Sequence, residues 1–345
     1  MIWHPLLLTT FIVQMTGLLL ILSACLTALK VVVGWNPASA VREQLTLEIK
    51  NESTVLQMRW ALGMYIFSDI LLIVGIAIIY PNLIPGAMCG TGVMQAMKES
   101  GSGFLILNGI LLMVLLYWNG LESLNRKQTD CPLAVFNARL ILISLPVAVL
   151  AFGKTVQAAI LVDVHRPVDC CAVIYNQFQT IGEAHQISGF PDQFWIGAWV
   201  ILSLLLFWLA MRLRRGIEVP SLKWNGILAF VSAVWVPVSV VTLVNILSAY
   251  HYGVLQHQCP WCLFLLQHGA VGFPLFTALI VIIYEGPAAF LLPAAVRNTP
   301  TIFPAALDRA RTAATRVLWA LAFFISLSAL PSVIWRLRFG VWISG

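Results

Sequence analysis

The chain has 345 residues, of which 60% are apolar and 10% charged, and its mean hydropathy is +0.90. A soluble globular protein carries about 25% charged residues, so the composition excludes one and points to a chain that crosses a membrane repeatedly. The net charge of +6 is spread over connecting segments, with no basic, aromatic-interleaved module to serve as a nucleic-acid surface.

Apolar runs long enough for about 30 Å of hydrocarbon fall at 5–33, 60–80, 104–121, 140–162, 194–211, 227–247, 263–284 and 317–335. The expected fold class is all-α integral membrane with about eight transmembrane helices. In the first run Leu22-Ser23-Ala24-Cys25 has the form of a lipoprotein cleavage site. Met1-Ile2-Trp3-His4 lacks the basic segment of a signal peptide, so Cys25 is read as a small buried apolar residue.

Residues 41–60, VREQLTLEIKNESTVLQMRW, mix charges with Leu, Ile and Val. They are expected either to lie as an amphipathic helix on the inner membrane surface or to form a solvated linker. Asp69 in the second run and Lys154 in the fourth are ionisable at membrane depth, which is costly unless paired or functional. They are candidates to pair with each other, unless Lys154 snorkels to the surface. Residues 285–316 contain four prolines and read as a broken interfacial segment. Tryptophans near the ends of the runs are assigned to the interfacial belt.

Short loops rich in Lys and Arg stay in the cytoplasm. One set of alternate connections holds Arg42, Lys50, Arg59, Arg126, Lys127, Arg139, Arg212, Arg214, Arg215, Lys223, Arg297, Arg309, Arg311 and Arg316. The opposite set holds Lys98, Arg166, Arg336 and Arg338. Fourteen against four puts both termini outside the cell inner (cytoplasmic) membrane.

On that topology the seven cysteines sort by side. Cys25 lies within the first run and Cys131 at the inner face, while Cys89, Cys170, Cys171, Cys259 and Cys262 fall outside. Disulfides persist on the outer side, so this distribution suits disulfide chemistry. All six histidines fall on the same side. In the stretch HYGVLQHQCPWCLFLLQHG, Cys259 is expected to cap the seventh helix, with Pro260 at its first position and Cys262 one turn in. A thiolate there gains from unpaired N–H groups and the helix dipole, so the pair reads as a redox dithiol. Two gap-filling cysteines, or a soft-metal clamp with His251, His257 or His268, are the alternatives, and a second pair at zinc-finger spacing is missing.

A dithiol that turns over needs a second thiol to exchange with. Adjacent Cys170 and Cys171 pair with each other only in a strained ring, so exchange between one of them and Cys259 is expected. Cys89 is left as a partner for the other, or as an unpaired loop thiol.

The chain now resembles the vitamin K epoxide reductase family, over about residues 140–284. The resemblance rests on DCCAVIYNQF, with Cys170, Val173, Asn176 and Phe178, on ISGFPDQFWIGAWV, and on a descending helix opened by CxxC. It implies a four-helix oxidoreductase-like bundle in the second half, a membrane quinone of the ubiquinone or menaquinone class, and an outside dithiol partner such as a thioredoxin-like protein. By the same resemblance Cys262 faces the quinone, Cys259 exchanges outward and Cys170 shuttles. Two features depart from the family. ILVDVHRP lacks its earlier loop cysteine, for which Cys171 or Cys89 is a candidate substitute, and Leu266 stands where the family has a tyrosine.

The expected division is therefore a three-helix membrane region at 1–139, a redox bundle at 140–285, and an interfacial segment with a last helix at 286–345. The expected activity is a quinone-dependent thiol-disulfide oxidoreductase using Cys259, Cys262, Cys170 and Cys171. Asn176, Gln267 and His268 are candidate donors to the quinone, and no bound metal is expected. The rival expectation is a transporter or binding protein using the outward Cys and His for a soft metal. A b-type haem would need histidines facing one another at membrane depth, and no GxxxxGK loop supports ATP-driven transport.

Overall fold

The structure, a computed structural model, describes residues 4–37, 39, 41–97, 100–162, 167–168, 190–216, 222–253 and 259–342. Among these, eight helices are long and apolar enough to cross a membrane, and no strand is present. The all-α integral-membrane class read from the sequence is the one observed. Lipid offers backbone groups no partners, so a spanning segment must satisfy its own hydrogen bonds, as a helix does.

The chain runs through α1 (Pro5–Gly34), α2 (Arg42–Val74), a short α3 (Gly90–Ala96), α4 (Ser100–Asn125) and α5 (Ala134–Leu161). It continues through α6 (Asp192–Arg215), α7 (Leu222–Thr242), a short α8 (Ser248–Tyr252), α9 (Gly272–Ala295) and α10 (Phe303–Phe339). Two compact units divide it: the first holds α1, α2, α4 and α5, and the second holds α6–α10 together with Gly86–Thr91. This grouping differs from a division at 139/140, because α5 packs on α1 and α4 within the first unit.

Two connecting segments differ from their expected form. Residues 42–60 are helical, yet they form the first half of α2, in line with the membrane-spanning half. Nothing in the sequence breaks the helix there, and Thr54, Val55, Met58, Ala61, Leu62 and Tyr65 are buried at helical spacing. Val55, Met58, Ala61, Leu62 and Tyr65 of that stripe belong to the core shared with α1. The proline-rich stretch after residue 284 is helical over most of its length and breaks only at 296–302. α9 continues through Pro287 and Pro293 to Ala295, and α10 starts by Phe303. Prolines are tolerated within spanning helices when neighbours take up the freed backbone groups.

In the first unit, Ile21, Ala24 and Ala28 of α1 pack with Met58 and Ala61 of α2, Leu111, Leu115 and Trp118 of α4, and Ala138 and Ala148 of α5. Small residues let membrane helices approach closely. Cys25 is buried among them, with its thiol 3.4 Å from the Ile141 carbonyl. Amides thread this core: Gln14 Nε2 donates to Asn108 Oδ1 at 3.1 Å, and Asn108 Nδ2 donates to Thr155 Oγ1 at 3.1 Å. Glu122 Oε2 accepts from Asn137 at 2.7 Å and its other oxygen from Arg126 at 3.0 Å. Lys154 does not pair with Asp69. Its exposed ammonium donates to Gln157 Oε1 at 2.9 Å, while Asp69 Oδ1 is buried without a hydrogen-bond partner among the described residues.

The second unit packs Leu206, Leu228, Trp235, Leu275, Leu279, Ile282, Val317 and Phe324 into one core. Trp235 donates its indole N–H to Ser203 Oγ at 2.8 Å. A Cβ on Gly286 would lie 2.2 Å from Ser232 Oγ, so only glycine admits the close approach of α9 to α7. Beside it, Glu285 is buried in α9 and pairs with Arg309 at 2.7 Å and Arg316 at 2.6 Å, both from α10.

In each unit the second long helix carries one π turn, Gly75–Ile79 after α2 and Leu243–Leu247 after α7. Such bulges rotate the segment beyond them and often mark functional positions. Pro81 explains the first: its missing N–H and its clash with the carbonyl four residues back fall within the π turn. After the second, α8 ends on Tyr252, capped by Gly253 at φ 67.

Candidate functional site

Cys259-Pro260-Trp261-Cys262 opens a 3-10 turn, Pro260–Phe264, rather than the seventh spanning helix. Cys259 is its N-cap, Pro260 takes the first position, and the Cys262 N–H donates to the Cys259 carbonyl at 3.3 Å. A second 3-10 turn, Leu266–His268, comes next and ends at Gly269 with φ 74, so α9 starts only at Gly272. The expected capping geometry is thus half right. The dipole of the long helix acts within its first turn, and nine residues lie between Cys262 and its start at Gly272.

Cys259 is surrounded by sulfur and a hydroxyl. Cys89 Sγ lies 3.3 Å from Cys259 Sγ, and Thr91 Oγ1 lies 3.0 Å from the same sulfur. Cys262 completes a triangle in which all three Sγ atoms lie within 4.8 Å of one another. The three residues are buried, at 1%, 1% and 6% exposure for Cys89, Cys259 and Cys262. Gly90 makes the approach possible, since a Cβ there would sit 2.6 Å from the Trp261 ring. Tyr252 closes the other side: its hydroxyl donates to the Cys259 carbonyl at 2.6 Å, and its ring packs against the cluster.

Hydrogen bonds dominate the electrostatics. The Cys262 and Cys89 thiols and the Thr91 hydroxyl all favour a thiolate on Cys259, and together they outweigh the opposing effect of burial. Its acidity is therefore raised far above that of a free thiol. Cys262 moves the other way, because it keeps the proton it offers to Cys259. The first negative charge in the reduced cluster sits on Cys259, which makes it both the nucleophile and the better leaving group.

Gln267 and His268 stand close by, in the second 3-10 turn. Gln267 is exposed, its amide nitrogen 3.3 Å from His268 Nε2. The His268 ring packs edge-on to Tyr252 at 4.7 Å. His251, on α8, has a buried Nε2 without a hydrogen-bond partner among the described residues. On the far side an aromatic wall forms, with Phe264 against Trp261 at 5.7 Å, Phe273 at 5.0 Å and Phe276 at 5.2 Å. Leu266, where the sequence departs from a tyrosine, is 77% exposed. The tyrosine at the cluster is Tyr252.

Cys170, Cys171, Asn176 and His257 lie outside the described residues. The sequence singles out Cys259 and Cys262 and leaves Cys89 as a partner for a different cysteine; the structure brings Cys89 to Cys259 itself. Thr91 and Tyr252 escape sequence reasoning. A hydroxyl two residues after Cys89 in CGTG, and an aromatic seven residues before Cys259, were the signals available. Cys131 is not part of the cluster; burial raises its thiol above the free value, and it sits at φ 46 in a turn between α4 and α5.

Comparisons with protein-family models, with curated proteins and with solved structures find no match to this chain.

Proposed function

We propose that the protein is a membrane thiol-disulfide oxidoreductase in which Cys89, Cys259 and Cys262 carry a disulfide between an extracytoplasmic dithiol partner and a membrane quinone. The single observation that carries this reading is the third thiol, Cys89, at 3.3 Å from the Cys259 of a buried CxxC. A CxxC pair alone can open and close; a third sulfur within reach allows its disulfide to be handed on. The positive-inside distribution of Lys and Arg, with the cluster at the opposite face, supports an oxidising location. The resemblance of 140–284 to the vitamin K epoxide reductase family adds the quinone and the thioredoxin-like partner.

The cycle balances in atoms and electrons. A partner thiolate attacks Cys89 Sγ in a Cys89–Cys259 disulfide; that bond breaks, and Cys259 leaves as the thiolate held by Thr91 and Cys262. The partner's second thiolate then attacks its own sulfur in the mixed disulfide and releases Cys89. The partner has lost two electrons and two protons, and the cluster now holds three reduced sulfurs. Cys259 and Cys262 then join, and a quinone held beside them by His251, His268 and Gln267 would supply the oxidant for the two electrons and two protons they release. Cys89 thiolate attacks Cys259 Sγ, expels Cys262, and restores the starting bond. By that resemblance Cys170 is the shuttle that would exchange with the partner.

The residues present suit a quinone. His251 Nε2, without a partner among the described residues, and the adjacent His268 offer hydrogen bonds for carbonyl oxygens, with Gln267 as a further donor at the surface. Phe264 beside Cys262 offers a flat apolar contact. Tyr252 holds the Cys259 backbone while bonds at its sulfur exchange.

The test is alkylation-state mapping of purified protein with oxidised and with reduced quinone. Cys262→Ala is expected to trap a Cys89–Cys259 bond, and wild type to switch between dithiol and disulfide with quinone state. Thiols that stay reduced and indifferent to quinone overturn the oxidoreductase reading. A trapped Cys259–Cys170 or Cys259–Cys171 bond overturns the role of Cys89 alone.

A further inference from the structure

We infer that the reduced cluster is also a binding site for a soft monovalent metal ion, copper(I), held by Cys89, Cys259 and Cys262 together. The ion takes the same sulfurs as the redox cycle, but its binding does not depend on that cycle operating.

The geometry is close to what such an ion requires. A metal bonded to three thiolates at about 2.3 Å in a plane needs sulfurs about 4 Å apart. The three Sγ atoms here lie within 4.8 Å of one another, and Cys89 and Cys259 stand at 3.3 Å. Modest rotations about Cα–Cβ bonds close that difference without moving the backbone.

Donor chemistry points the same way. Thiolates select soft ions such as copper(I) and zinc, whereas calcium and magnesium require oxygen. No carboxylate or imidazole joins the triangle among the described residues. A side-chain oxygen near the sulfurs is a hydroxyl, Thr91 Oγ1, at 3.0 Å from Cys259. Tyr252 commits its hydroxyl proton to a backbone carbonyl. Three sulfurs with no fourth donor among the described residues suit a trigonal copper(I) ion better than zinc, which prefers four ligands.

Burial favours retention. With exposures of 1% to 6% the site is dry, so water is poorly placed to complete a tetrahedral shell, and a bound ion leaves slowly. Binding replaces S–H bonds by S–metal bonds and releases the protons to solvent, with no electron transferred. All three sulfurs are then occupied, so copper(I) holds the cluster reduced and closed to disulfide exchange.

The experiment uses full-length protein, reduced and kept anaerobic in detergent, and titrated with copper(I) buffered by a chromogenic chelator. One copper per chain is expected to survive desalting, with near-ultraviolet thiolate-to-copper absorption and protection of all three thiols from maleimide. Cys89→Ser is expected to lower affinity at least tenfold, and Cys131→Ser to leave it unchanged. Equal retention by wild type and Cys89→Ser overturns the three-sulfur site, as does unprotected alkylation of the cluster at saturating copper. Tighter binding of zinc than of copper(I) overturns the choice of ion. Quinone-dependent thiol switching is measured separately on metal-free protein, so loss of one property is read independently of the other.

Discussion

The two units share a plan and spend it differently. Each has four long helices, with one π turn at the end of its second. In the first unit that turn folds Tyr80 back until its ring closes on Gly75, where a Cβ would lie 2.7 Å from it. In the second it carries Tyr252 to the backbone of Cys259. The first unit is tied internally by neutral amides and hydroxyls, Gln14 to Asn108 to Thr155. The second is tied by a buried carboxylate between two guanidiniums and by sulfur. One scaffold thus serves as a packed bundle and as a support for reactive groups, and the difference lies in which side chains come after the bulge.

The largest expected effect falls on the ion pairs of the second unit. Glu285→Ala leaves the largely buried Arg309 without its carboxylate and is expected to cost about 3–5 kcal/mol in thermal or denaturant unfolding in micelles. Arg316→Ala, whose side chain is 56% exposed, is expected to cost about 1 kcal/mol or less. A loss for Arg316→Ala as large as that for Glu285→Ala would remove the distinction between the buried and the exposed arm.

Next in size is Gly90→Val, which drives a side chain into Trp261 and pushes Cys89 away from Cys259. The yield of the Cys89–Cys259 bond in a Cys262→Ala background is expected to fall at least about tenfold, equivalent to about 1.4 kcal/mol. An undiminished yield would mean that Gly90 has no part in the approach.

In the first unit Asn108→Ala breaks two hydrogen bonds between side chains, and membrane hydrogen bonds average about 0.6 kcal/mol each. A loss of about 1 kcal/mol is expected in the same unfolding assay. A cost near that of Glu285→Ala would erase the contrast between neutral and charged ties.

The smallest expected effect is electrostatic. Cys259 is held as a thiolate, so its alkylation by a small iodoacetamide in the reduced protein should persist well below pH 9, the value of an ordinary thiol. Linkage gives the sign: a depressed acid stabilises the fold above the unfolded value and loses that contribution as pH falls through the folded one. Thr91→Ala removes one donor, so the midpoint is expected to move upward and the rate at about pH 6 to fall. A profile identical to wild type would show that the hydroxyl does not act on the sulfur.

Much of this was legible in the chain. Eight apolar runs are a matter of length and composition, and Pro260 between the cysteines marks Cys259 as an N-cap, although of a short 3-10 turn and not of the long helix. The stripe from Thr54 to Tyr65 was readable as helix, but its continuity with the membrane half depended on packing against α1. The start of α9 at Gly272 was not legible, because Leu263, Phe264 and Leu265 are as apolar as any membrane residue. Two 3-10 turns and a left-handed Gly269 hold them outside the long helix.

The sequence by itself determined that the protein is helical, spans a membrane, and carries one CxxC beside a membrane helix, because these features depend on local composition and spacing. Only the tertiary structure decided that Cys89, 170 residues away, meets Cys259, and that Thr91 and Tyr252 attend it. Which distant loops converge depends on how whole helices pack, and no local pattern around Cys89 records the side chain it will touch.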